Sequence, residues 1–345
     1  MTGRHGPRPK VQFAGMELWV GNLGQTESLL TTAFGFETLD TRAQDGRHQK
    51  AVRLACGGVG VILRQGTSPE SRITRHVALH GDTVSDVALA CADPGAVVER
   101  ARAFGLDVFG PEDRPTIDLF GGRTVCHSIR PAQPARDRVP TTNDAPAMRA
   151  VDHVAYCLPY GTAEHAALAY EEVFGLERVD VGDCEEVGGQ AIGMRSVVLR
   201  SPIGFTAVLT EPSTPGGTGQ TQRFIDAHAG PGVQHAAIAY SDLIGAVGWL
   251  RSRGVEFLAA PDEYFDQAER RMGHVGLPWD ALRRLEILVD CDENGLLFQL
   301  FTRPVTGRPT FFFEFIQRAG ATGFGANNVK ALFAAVQAAN IGVAD

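Results

Sequence analysis

A chain of 345 residues that is 44% hydrophobic and 21% charged is longer than one ordinary domain, so two domains are expected. Its formal net charge of −8 excludes the clustered Lys and Arg that a nucleic acid or an anionic membrane surface demands. No apolar run approaches the ~20 residues needed to cross a bilayer.

Residues 1–10 are polar with no apolar stretch behind them, so no signal peptide is expected and the protein reads as cytoplasmic. The six cysteines lie far apart without a C-x-x-C pair, as reduced and mostly buried thiols do.

The first alternation of apolar and polar residues, MELWVGNL (16–23), predicts a half-buried strand, and it leads through a helical stretch to FGFETLD. A second strand, VSDVALACAD (84–93), runs into the helix AVVERARAFGLDVF. The segment 131–150, PAQPARDRVPTTNDAPAMRA, has four prolines and the polarity of an inter-domain linker. Beyond it the pattern returns. VDHVAYCLP (151–159) leads to FGLERVD, and VQHAAIAYSD (233–242) leads into AVGWLRSRGVEFL. In two of the copies a glycine follows the matched strand position by 19 residues, Gly105 after Asp86 and Gly254 after His235, where a left-handed helix cap fits. The chain therefore reads as an α+β protein of tandem βαβββ modules. Two modules occupy an N-terminal domain (11–130) and two a C-terminal domain (151–345), with 131–150 between them.

The copies differ in one informative way. His153 and His235 stand at matched strand positions of the third and fourth modules, and the first two modules have Glu17 and Asp86 there. Two facing modules bring such imidazoles to the same depth of one concave sheet. A third group is expected from the last strand, FFFEFIQR, where Glu314 is a lone carboxylate in an aromatic run that is costly to bury unless paired or metal-bound. The three lie 82 and 79 residues apart. Two histidines and one carboxylate leave open positions on an octahedral ion, the arrangement of Fe(II) oxygenases. Zinc more often takes a closed shell of four ligands. A lone strand histidine is ordinarily a hydrogen-bonded core residue, and Glu314 alone would pass for an edge-strand carboxylate; their recurrence within a repeat favours the metal. His5 falls in the polar tail, and His48, His76, His80, His127, His165, His228 and His274 are expected at the surface or in loops. His127 lies near the N-terminal counterpart of the Glu314 strand.

The segments VDHVAYCLP, GVQHAAIAY, LLFQLFT and FFFEFIQRAGATGFGANNVKALFAAV resemble the 4-hydroxyphenylpyruvate dioxygenase and 4-hydroxymandelate synthase family of the vicinal oxygen chelate superfamily. The resemblance covers nearly the whole chain, the N-terminal half mainly in architecture. It implies open barrel-like sheets with outer helices, a C-terminal lid helix, Fe(II) as cofactor, a 2-oxo acid and O₂ as small-molecule partners, and homo-oligomers, a dimer first. It also implies pocket roles for Ser196, Gln220 and Gln299, and for Phe324 and Asn328 on the lid.

Three positions depart from the ring-hydroxylating members. Val208 and Thr210 replace a Pro and an Asn, and Val329 replaces a Phe after the lid asparagine. Losing a phenyl ring there opens space above the iron and turns the benzylic carbon toward it. The expected reaction is oxidative decarboxylation and benzylic hydroxylation of 4-hydroxyphenylpyruvate or a close arylpyruvate to a mandelate. The alternatives are homogentisate formation, oxidation of another 2-oxo acid, and a non-catalytic small-molecule binding protein.

Overall fold

The repeated segments fold into two sheets of eight strands with the same strand order. The structure, a computed structural model, describes residues 7–42, 48–132, 145–179, 186–187, 190–191, 193–217, 219–273, 276–325 and 327–328. In the N-terminal half β1 (Val11–Trp19) is followed by α1 (Leu23–Thr32), β2 (Glu37–Arg42), β3 (Gln49–Cys56) and β4 (Val59–Gly66). After α2 (Arg72–His80) the plan repeats with β5 (Thr83–Cys91), α3 (Pro94–Phe104), β6 (Asp107–Phe109), β7 (Thr116–Asp118) and β8 (Cys126–Pro131). The order across the sheet is β2-β3-β4-β1-β5-β8-β7-β6. Each module thus closes with a strand parallel to its first, and the two first strands pair antiparallel in the middle.

The C-terminal half opens with β9 (Ala150–Cys157), α4 (Ala163–Phe174) and β10 (Glu177–Val179). A small hairpin follows, β11 (Glu186–Val187) with β12 (Gln190–Ala191), and then β13 (Met194–Arg200) and β14 (Thr206–Pro212). After α5 (Gln220–His228) come β15 (Gly232–Ala239), α6 (Leu243–Ser252), α7 (Asp262–Met272), α8 (Trp279–Leu285), β16 (Leu288–Asp292), β17 (Gly295–Phe301) and β18 (Phe312–Ala319). Its order, β10-β13-β14-β9-β15-β18-β17-β16, repeats the first sheet strand for strand. The fold is the expected α+β tandem of vicinal oxygen chelate modules. The expected lid helix lies outside the described residues beyond Asn328.

The repeat has a local cause. Asp93 and Asp242, which close the two matched strand segments, each cap the next helix by accepting a backbone N–H, from Ala96 at 3.0 Å and from Gly245 at 2.9 Å. Gly105 caps α3 in the left-handed region at φ 91°, and Gly254 takes φ 85° just past Arg253, which caps α6.

Alternation along β9 sends Val154 and Tyr156 into the core, where Tyr156 meets Tyr170 of α4, and leaves His153 and Ala155 on the concave face. Core and concave face are set by that one period of two. The halves are tied together by Arg308, which donates to the carbonyls of Leu79 and Ala78 on α2 and of Ala227 on α5. Near the end of the 131–150 segment, Met148 is buried and accepts from Gly58 N. Among the described residues no helix is long and apolar enough to cross a membrane.

Candidate metal centre

Ala237 on β15 is paired on one side with His153 of β9 and on the other with Glu314 of β18. Those two side chains therefore rise on either side of a methyl group, and His235, two residues earlier on β15, shares their face. The result is compact. His153 Nε2 lies 3.1 Å and His235 Nε2 3.3 Å from Glu314 Oε2, and the three donor atoms all lie within 4.8 Å of one another. Metal bonds of about 2.1 Å put neighbouring ligand atoms about 3 Å apart, so this donor set fits a single ion.

Each ligand's second polar atom is already committed. His153 Nδ1 is 3.0 Å from Asp152 Oδ1 and His235 Nδ1 is 3.1 Å from Gln234 Oε1, so both rings donate there and turn Nε2 to the centre. Arg318 holds Asp152 through two bonds of 2.8 and 2.9 Å and is itself tied to the carbonyls of Ala321 and Gly323. Glu314 Oε1 accepts from Gln299 Nε2 at 2.6 Å, which leaves Oε2 for the centre.

Burial alone would raise the Glu314 carboxyl, but the facing His153 and His235 outweigh it and hold it at about 2. Burial works against charge on His153 as well, and Glu314 and Asp152 overcome it and raise the imidazole to about 9. His235 goes the other way, because burial dominates its hydrogen bond to Glu314. The floor is thus a shielded carboxylate between two imidazoles, the donor chemistry of a divalent cation site. Aromatic rings wall it. Phe312 stacks on His235 at 5.1 Å, and Phe324 meets His153 edge-on at 5.1 Å beneath the Arg200 and Arg318 guanidinium groups.

Ser196 and Val208 lie half-buried on neighbouring strands of the same concave face, and Thr210 faces Ser196 across the pair β13–β14. The Thr210 hydroxyl has no proton left for a ligand, since it donates to Tyr156 O at 2.9 Å. Gln220 begins α5, is 9% exposed, and its Oε1 has no donor among the described residues. Beside it Thr221 donates to the sulfur of Met194, two residues from Ser196 on β13, so α5 starts over that end of the face. Gln299 and Asn328 are buried and bonded to each other at 2.7 Å. Val329 lies outside the described residues.

Sequence reasoning passed over Asp152, Gln234 and Arg318. The residue preceding each histidine carries the only signal, a polar partner placed one step along the strand. It also misjudged several histidines. His76, His80, His127 and His228 are buried at 8%, 6%, 0% and 0% exposure, not at the surface. His127 is on the opposite face of β8 from the counterpart of Glu314, bonded to Val87 O and to Tyr170 Oη. Register places Ser128 at that counterpart position, where it donates through backbone and hydroxyl to Asp86. With Glu17 paired to Arg64 at 2.8 Å, the N-terminal sheet fills its equivalent of the site with a self-satisfied polar network.

The Glyoxalase/Bleomycin resistance protein/Dioxygenase superfamily model matches residues 150–272. The chain is 32% identical to a 4-hydroxyphenylpyruvate dioxygenase of Tetrahymena thermophila over 93% of its own length and 88% of that protein. It is 29% identical to the 4-hydroxyphenylpyruvate dioxygenase of Sus scrofa, covering 95% of this chain and 91% of that one. Among solved structures, a triply substituted variant of 4-hydroxymandelate synthase from Streptomyces coelicolor superposes with a TM-score of 0.81 at 34% identity, over 96% of this chain and all of that chain.

Proposed function

The chain belongs to the 4-hydroxyphenylpyruvate dioxygenase and 4-hydroxymandelate synthase family, and we propose that it binds Fe(II) through His153, His235 and Glu314 and converts 4-hydroxyphenylpyruvate to 4-hydroxymandelate. The observation that carries the proposal is the triad, whose three donor atoms converge within 4.8 Å while their other polar atoms are tied back. Bound Fe(II) would supply a redox centre and a template for O₂ and a 2-oxo acid together.

The chain's own residues do the orienting. Three protein ligands on one side of an ion leave the other side to the ligands that react. Phe301, Phe312 and Phe324 line the space around His153 and His235 and give it an apolar wall. Where α5 starts over the end of the face, the Oε1 of Gln220 is a buried acceptor without a donor among the described residues, suited to a phenol O–H. That acceptor supports a para-hydroxylated substrate. The benzylic outcome is supported by Val329, which offers less bulk than the Phe of ring-hydroxylating members and so leaves the aromatic ring room to tilt.

The reaction balances as arylpyruvate plus O₂ giving hydroxyarylacetate plus CO₂, with one oxygen atom entering the new carboxylate and one the benzylic C–H bond. Iron-loaded protein given 4-hydroxyphenylpyruvate, phenylpyruvate and an aliphatic 2-oxo acid in parallel should release 4-hydroxymandelate from the first. Homogentisate as the sole product would overturn the benzylic assignment. Lack of O₂ uptake with every acid would return the chain to the status of a binding protein.

A further inference from the structure

Tyr264 lies on the first turn of α7, outside the concave sheet, and nothing in the sequence pattern marks it. Its hydroxyl accepts from Val289 N at 2.9 Å and has two acceptors within reach of its single proton, Val289 O at 2.7 Å on the edge strand β16 and Asn328 Oδ1. It donates to Asn328 Oδ1 at 2.5 Å. Asn328 Nδ2 donates to Gln299 Oε1 at 2.7 Å, and Gln299 Nε2 donates to Glu314 Oε1 at 2.6 Å.

The direction of this chain is forced from its far end. An ionised carboxylate only accepts, so Gln299 must present Nε2 to it and turn Oε1 away. Asn328 must then offer Nδ2 to that Oε1, which turns its own Oδ1 outward to a donor. Among the described residues Tyr264 is the only donor that reaches it. Burial pushes the phenol up from its ordinary range, so it keeps the proton it gives. Asn328, Gln299 and Glu314 are 0%, 3% and 2% exposed, so these atoms are shielded from bulk solvent. The packing leaves little slack. Gly325 takes φ 69°, and a Cβ there would fall 2.7 Å from Gln299 Oε1.

We infer that Tyr264 is a positioning residue for the metal carboxylate, fixing the rotation of Glu314 through Asn328 and Gln299 so that Oε2 alone faces the two imidazoles. The inference rests on the metal reading proposed above. Without Tyr264 the relay keeps its direction but Asn328 Oδ1 loses its donor in a buried place, so the hold of Asn328 on Gln299, and of Gln299 on Glu314, loosens. The backbone at Asn328 stays in place all the same, because Asn327 is held separately by Asp290 through its backbone N–H and its side-chain amide. The residue therefore acts on the ligand's orientation and not on the docking of the segment.

Co(II) is the probe, added to the metal-free protein and followed by its visible spectrum and by competition with a chelator. Partners beyond the ligands of a metal site are typically worth about 10–100-fold in affinity. Y264F should weaken Co(II) binding about tenfold, at the lower end of that range, and Q299A by more. In the Q299A background Y264F should add nothing, because the relay is already cut. N328D gives the same loss by another route, since a carboxylate cannot donate to Gln299 Oε1; it serves if Y264F fails to fold by circular dichroism. Wild-type affinity in Y264F, or an undiminished effect in the Q299A background, would overturn the inference. H235A separates the two readings: if it binds Co(II) as the wild type does, the metal site itself is wrong.

Discussion

Gln220 and Thr210 stand at the same end of the concave face but offer a ligand different things. Thr210 has given its one proton to a backbone carbonyl, whereas Gln220 keeps a buried amide oxygen without a donor among the described residues. An orphaned buried acceptor costs about 1–3 kcal/mol, which a phenolic O–H would relieve and an unsubstituted ring would not. Gln220→Leu should therefore erase about 10-fold or more of the preference for 4-hydroxyphenylpyruvate over phenylpyruvate, read from the ratio of their kcat/KM values. An unchanged ratio would place the para-hydroxyl elsewhere. Asp152 acts at the same scale. Asp152→Asn keeps the size but weakens the bond that holds His153, and Fe(II) affinity measured by chelator competition should fall about 10-fold or more.

How much of the site could be read beforehand follows the range of the interactions. His153, His235 and Glu314 stood out because a repeat offers an internal control, and their counterparts Glu17 and Asp86 differ in kind. Tyr264 was invisible, since its partner Asn328 is 64 residues away and no period relates them. The misjudged helix histidines, His76, His80 and His228, share a physical cause. His76 and His80 lie one helical turn apart on a short helix whose buried stripe is partly polar, and a stripe of that kind reads as a solvent face until the helix it meets, α5, is known.

Among the elements, the repeated Asp at the strand-to-helix corner is the feature whose meaning changed most. Asp93 and Asp242 looked like the last residues of matched strands, and they are helix caps. That explains why the repeat persists there while the sheet residues diverge. Replacing either by Ala should cost about 0.5–2 kcal/mol in urea unfolding, with neither change moving Fe(II) affinity. A silent Asp242→Ala would mean the corner is held by α6 packing alone. The module pattern of a first strand, a helix and three more strands was legible, and the order across each sheet is one of the few that let such a module bury one face. The α7–α8 insertion had no counterpart in the other modules and so no internal template.

At the level of the whole molecule, the two halves meet at a patch of buried histidines. His228 donates from Nδ1 to Gly230 O and accepts at Nε2 from Thr83 of the N-terminal half, while His80 donates to His228 O. Burial drives His228 to about 4 and His76 to about 3, helped by the neighbouring His80 and by Arg308 and Arg72 respectively. A histidine whose folded value is depressed stays neutral in the fold while the unfolded chain takes up a proton below its ordinary value of about 6.5. Stability is therefore complete above pH 6.5 and drains as pH falls toward 4, at roughly 1.4 kcal/mol per pH unit for each fully shielded imidazole. His228→Asn should flatten the decline in urea midpoint between pH 6.5 and 4.5, and an unaltered slope would show that the junction does not carry it.

The central claim is that one buried triad couples O₂ to the oxidation of an arylpyruvate. The most direct measurement follows O₂ uptake and CO₂ release together from 4-hydroxyphenylpyruvate, in the iron-loaded protein and in Glu314→Ala. The account predicts equal amounts of the two gases in the wild type and the loss of both in the variant. Turnover that survives Glu314→Ala, or CO₂ released without O₂ consumed, would contradict it.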